Sequence, residues 1–256
     1  AIRVRFVLVE PAIDGLSGSV RPGGGRLSAT GTFTFRNYVR IFQGGFGRFI
    51  VNSVVICVVA TLASTVLSIM AAYAFSRFDF RFKRALFTGI LFGQVFPWIV
   101  LINPLFVAFA TMHLINSYVG MILTYTAFTV PFSVYMLVGY LVTVPKSLDE
   151  AAIIDGASRW QVIWYIICPV MLPGFVATAT YAFLLCWTEY LFALAFLTQT
   201  DLKTLPLGLY QFFGEDNVDW GAVMAASLIM TLPIVIAFLL LQRLFVGGLA
   251  AGAIKG

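Results

Sequence analysis

Long uncharged stretches alternate along this chain with short polar links. The first stretch runs from Phe49 to Ser76 and stops at Arg77. Between Ala85 and Pro145 there is no Asp, Glu, Lys or Arg, but the polar break His113-Leu-Ile-Asn-Ser117 divides that run in two. Further stretches cover 171–198 and 222–242, the last closed by Gln242-Arg243. A helix needs about 20 largely apolar residues to cross the hydrocarbon. Barrel strands would instead show about ten residues of alternation. The pattern therefore predicts an all-α polytopic membrane protein with five transmembrane helices, at about 49–76, 85–111, 117–141, 171–198 and 222–242.

Composition agrees with the pattern. The 256 residues are 61% hydrophobic and 11% charged, with mean hydropathy +0.96, against about 45–50% and 25% in soluble domains. The net charge of +5 is no nucleic-acid signal, because the basic residues flank apolar runs instead of forming one face. Arg77, Arg81, Lys83 and Arg84 follow the first span, Lys146 and Arg159 the third, and Arg243 and Lys255 the fifth. The other links are neutral near His113 or acidic at Asp201, Glu215, Asp216 and Asp219. Basic links face the cytoplasm, so this alternation places 145–169 there. Residues 1–48 disagree: parity makes them an extracytoplasmic loop, yet they carry seven Arg and two acids. A further helix ahead of Ala1 is expected, since something must carry this segment across.

One cytoplasmic link stands out for its density of charge. In Lys146-Ser-Leu-Asp-Glu-Ala-Ala-Ile-Ile-Asp-Gly-Ala-Ser-Arg-Trp-Gln161, Ser147 and Glu150 have capping-box spacing, as do Ser158 and Gln161. Asp155-Gly156 is a turn dipeptide in which glycine can take positive φ at a helix end. Two capped helices joined at a glycine corner are predicted, the second running to Cys168 before Pro169 and Pro173. Such an element is either a solvated surface loop or a rigid docking surface for a soluble partner. A catalytic carboxylate pair is disfavoured, because Glu150 and Asp155 lie about 500° apart around a helix.

Glu150-Ala151-Ala152, Asp155-Gly156-Ala157 and the two prolines resemble the EAA loop of permease subunits in ATP-binding-cassette (ABC) importers. Asn52-Ser53, Ala71-Ala-Tyr-Ala-Phe75 with Arg77, Trp187-Thr-Glu189, Trp220-Gly221 and the tail Gly248 to Gly256 resemble the carbohydrate branch, the maltose-type second permease. The likeness covers about residues 33–256, with Thr188 standing where the family commonly has Asn. It implies a six-helix core, of which the first would precede Ala1. It also implies that Glu150, Ala151, Ala152, Asp155, Gly156 and Ala157 couple the subunit to an ATPase. The implied partners are a second homologous permease, two ATPase subunits carrying ATP and Mg, an extracytoplasmic sugar-binding protein, membrane lipid and the sugar itself. This chain would bind no cofactor, and its place would be a bacterial or archaeal cytoplasmic membrane. The tail 246–256 is a frayed cytoplasmic end by composition, whereas the resemblance implies insertion between the ATPase subunits.

Intramembrane polar residues are candidates for the substrate path. Glu189, between Trp187 and Tyr190, combines a hydrogen-bonding group with aromatic faces, as a sugar requires; an interhelical structural hydrogen bond is the alternative. Gln94 and Asn103 lie among Pro97, Trp98 and Pro104 and are weaker candidates. No metal site is expected, since His113 is the only histidine and Cys57, Cys168 and Cys186 lack ligand spacing. The chain has no G-x-x-x-x-G-K-[ST], so ATP hydrolysis is assigned elsewhere. The rival reading, a self-contained channel or ion-coupled carrier, needs charges paired across several spans.

Overall fold

A computed structural model describes residues 35–95, 97–214 and 218–253, with side chains as far as Leu241. The segment 1–34, Glu215, Asp216 and the last residues with Lys255 lie outside it. Helices α1 (Arg36–Gln43) and α2 (Phe46–Arg77) are followed by α3 (Lys83–Val95), a 3-10 turn (Trp98–Leu101) and α4 (Ile102–Thr111). Next come α5 (Tyr118–Val142), α6 (Ser147–Ile154), the composite helix α7 (Arg159–Val170) and α8 (Leu172–Thr188). Helices α9 (Leu191–Phe196), α10 (Leu205–Tyr210) and α11 (Trp220–Ala253) complete the order. Among the described residues there is no strand, only a bridge between Phe213 and Val218.

Helix α2, helix α5 and residues Trp220–Leu241 of α11 are each long and apolar enough to span a bilayer; counting two bent pairs gives up to five spans. One pair is α3 with 98–111, interrupted at Pro97, whose missing N–H and fixed φ break the helix. The other is α7 with α8, bent by 83° at Met171. The expected continuous span 171–198 is two helices, because α8 ends at Thr188 and α9 starts at Leu191.

The bundle centres on α2 against α5, its most extensive helix pair. The middle of the buried stripe of α2 is rich in small and polar residues, Ser53, Cys57, Ala60, Thr61, Ser64 and Ser68, with larger side chains such as Phe46, Phe49, Ile69 and Tyr73 buried toward its ends. Its exposed face carries Val51, Val55, Val58, Val59, Leu62 and Val66. This inverts the soluble-protein rule. In lipid, close backbone approach drives helix association, and large aliphatic side chains face hydrocarbon at no cost. Three buried hydroxyls are satisfied within their own helices: Thr124, Thr129 and Thr178 donate to carbonyls four residues back at 2.8 Å.

Helix α1 was unassigned from sequence. Its Ile41 and Asn37 are buried, and it packs against α11. Two of the N-terminal arginines, Arg40 of α1 and Arg48 of α2, find acidic partners here. Arg40 pairs with Asp219, and Arg48 with Asp201 at 3.2 Å, so basic residues at this end meet the acids already there. Nearby, Gly208 of α10 seats against Phe49, where an added Cβ would lie 2.2 Å from the ring. Gly208→Ala is expected to destabilise by about 1–3 kcal/mol through overpacking. Phe49→Leu should recover part of that loss, as read by thermal inactivation in detergent.

Candidate functional site: the charged loop between α5 and α8

Helices α6 and α7 fold as two short rods with a fixed corner. The corner is a Schellman motif: Gly156 N–H donates to Ile153 O at 3.0 Å and Ala157 N–H to Ala152 O at 2.9 Å. Gly156 has φ +89° with open space around the Cα, so only backbone conformation demands glycine here. The second capping box forms as predicted. Ser158 Oγ accepts from Gln161 N–H, and Gln161 Oε1 accepts from Ser158 N–H at 2.7 Å.

The first box does not form. The chain is already helical at Lys146, whose carbonyl accepts from Glu150 N–H at 3.1 Å, so Ser147 lies inside the helix instead of capping it. Asp149 is what anchors the helix start. Its Oδ2 accepts from Arg77 Nε at 2.7 Å, with both side chains about 5% exposed. Arg77 Nη2 also donates to Val144 O at 3.0 Å. A charge-assisted bond contributes about 1.5–3 kcal/mol and a serine cap about 1, so the ion pair decides the register. Sequence reading missed Arg77 and Asp149 as partners; the signal was an arginine ending a span opposite the one carboxylate in the loop that the capping argument did not need.

The loop has its own small core. Ala152, Val162, Ile163 and Ile167 pack with Ile69, Tyr73, Leu137, Leu141 and Val144 at the ends of α2 and α5. Arg159 lies over the Phe78 ring at 5.2 Å. In the adjoining link, the Lys83 ammonium hydrogen-bonds Asp79 and, with a smaller contribution from Lys146, holds that carboxyl below the usual range. Of the predicted coupling residues, Glu150, Ala151, Asp155 and Gly156 are exposed, Ala157 is half-buried and Ala152 is packing. Around them Ile154 (84% exposed), Trp160 and Tyr165 leave apolar surface open. Apolar surface thus stands open beside the exposed carboxylates of this loop.

The pathway candidates separate by burial. Trp187 is 1% exposed and donates from Nε1 to Met230 O at 3.0 Å, so it fills the interior and does not line an opening. Glu189 lies between α8 and α9 and not within a span. Its oxygens accept from Phe192 N–H at 2.8 Å, Ala193 N–H at 3.2 Å and Tyr125 Oη at 2.9 Å. Gln94 donates to Phe128 O at 3.4 Å, while Asn103 is exposed and Tyr190 half-buried beside Tyr210.

A polytopic helical bundle with a folded, charged loop packed between two of its spans is the form of a transport permease. The family model described as "Binding-protein-dependent transport system inner membrane component" matches residues 64–250, and the chain belongs to that family. It is 39% identical to the trehalose/maltose transport system permease protein MalG of Thermococcus litoralis, covering 87% of this chain and 82% of that one. It is 35% identical to the trehalose transport system permease protein SugB of Mycobacterium tuberculosis (88% and 83%). Its fold matches a subunit of a bacterial ABC transporter involved in the import of alginate, with TM-score 0.81, 19% identity and coverage of 94% and 93%. The chain is therefore a multi-pass permease subunit of the cytoplasmic membrane. Membership implies, in general terms, an ATPase and a binding protein as partners, and it sets aside the channel or ion-coupled carrier.

Removing one member of a buried ion pair costs about 3–5 kcal/mol, whereas replacing both by apolar groups is often neutral. Arg77→Ala is therefore expected to lower thermal stability sharply, and Arg77→Met with Asp149→Leu to restore most of it.

Proposed function

We infer that this subunit forms half of the translocation path of an ABC importer for a sugar or oligosaccharide. A second homologous permease would supply the other half, and two ATPase subunits would hold ATP and Mg. An extracytoplasmic sugar-binding protein would deliver the cargo. The observation that carries the reading is the rigid loop itself: Glu150, Asp155 and Ile154 stand exposed on a protrusion fixed by the Schellman corner, the Ser158 box and the buried Asp149. Relatives named for transport of trehalose, maltose and diacetylchitobiose support the cargo class.

In this reading, nucleotide-driven closure of the ATPases displaces α6 and α7, and rocking of the two permease bundles alternates access to a central cavity. Gln94, Asn103 and Tyr190, which keep accessible surface, are the pathway candidates. Glu189, half-buried as well, stays a candidate through whatever part of its carboxylate the Tyr125 and backbone bonds leave open, whereas the buried Trp187 acts behind them as framework. Asp201 and Asp219 are engaged by Arg48 and Arg40, so the binding protein meets a mixed, internally paired surface there in place of a bare acidic one.

Purification of the subunit from its native membrane should bring down an ATPase. Gly156→Pro forces φ from +89° to about −65° and removes the N–H bonded to Ile153 O. It should abolish that association, while Glu150→Ala should reduce hydrolysis stimulated by the sugar-loaded binding protein. Unchanged association and stimulation in both variants would refute the docking role.

A further inference from the structure

We propose that Arg77 is the joint through which movement of the docking loop reaches the opposite face of the membrane, with α2 as the rod. This rests on the importer reading above. Helix α2 has 32 residues, about 48 Å at 1.5 Å per residue, and runs without a break or an internal proline. Each end is tied by side-chain hydrogen bonds to a different structure. At the inner end Arg77, its last residue, holds both Asp149 in the first turn of α6 and the carbonyl of Val144, where α5 gives way to the loop. Asp149 Oδ1 is buried without another partner among the described residues, so Arg77 is what neutralises this carboxylate.

At the outer end Asn52 Nδ2 donates to Asp201 O and Lys203 O, both at 2.9 Å. Its Oδ1 accepts from Tyr118 Oη at 2.6 Å. Ser53 Oγ accepts from Leu205 N–H at 2.6 Å. Glu150, the residue next to Asp149, points outward and is exposed. The adjacent carboxylates thus divide the work, one facing a partner and one facing the rod. Directional bonds to a guanidinium resist sliding in a way that apolar contact does not. A displacement of α6 is therefore passed to α2 and on to the segment 201–208.

The test uses the complete transport complex in proteoliposomes, comparing wild type with Arg77→Met/Asp149→Leu, which keeps the loop packed without the joint, and with Arg77→Lys. A Cys at Thr200, exposed beside Asp201 in the outer segment that Asn52 holds, is labelled with an impermeant maleimide in nucleotide-free and vanadate-trapped states. The paired variant is expected to retain the ATPase and its hydrolysis, while sugar transported per ATP falls about tenfold or more. Its Thr200→Cys labelling rate should lose the difference between the two states that wild type shows. Arg77→Lys, keeping the charge without the fork, should fall between. Wild-type transport per ATP and a wild-type labelling difference in the paired variant would overturn the proposal while leaving the importer reading intact. Absence of any ATPase from the wild-type complex would overturn the importer reading, and the joint with it.

Discussion

Hydrocarbon offers no water to satisfy a backbone group, so each place where a helix stops within the bundle has to be closed by the chain's own side chains. The scattered polar residues do this work. Glu189 receives the N–H groups that open α9. Asn116 accepts from the N–H groups of Thr198 and Gln199 just past its end. Asn52 collects the carbonyls of Asp201 and Lys203. A polar residue in these stretches marks a break that has been repaired, and the repairs fix the relative positions of the helices.

The same constraint governs the loop. A cytoplasmic insert of two short helices could hang free on the pair of backbone connections to α5 and α8. Instead it is bolted to the bundle by a buried carboxylate, a cation over an aromatic ring and a patch of aliphatic packing. That fixation holds exposed residues such as Glu150 and Ile154 in set positions relative to the membrane helices. Arg40 of α1 and Arg48 of α2 follow comparable logic. Paired with Asp201 and Asp219, they are exposed ion pairs of small energetic weight.

The helical class, the polar break at 113–117, the glycine corner and the second capping box were legible because each depends on local chemistry. The buried faces were not. Hydrophobicity is nearly uniform around α2 and α5, and only the small-residue stripe distinguishes inside from outside. The capping-box argument failed at Ser147 because a residue distant in sequence, Arg77, competed for the register. Glu189 stands out in the sequence as a carboxylate among apolar residues, but its partners, two backbone N–H groups of α9 and the Tyr125 hydroxyl, are brought to it only by the fold. The motifs that carried the family resemblance, Asn52-Ser53, Arg77, Trp187 and Glu189, prove to be points of side-chain fastening between helices.

The most direct measurement is uptake of a labelled sugar that the binding protein retains, by the reconstituted complex with that binding protein outside and nucleotide inside the vesicle. Coupling through the docking loop predicts accumulation that requires both ATP and binding protein and persists when ionophores collapse every ion gradient. Uptake without nucleotide, or uptake abolished by the ionophores, would contradict it.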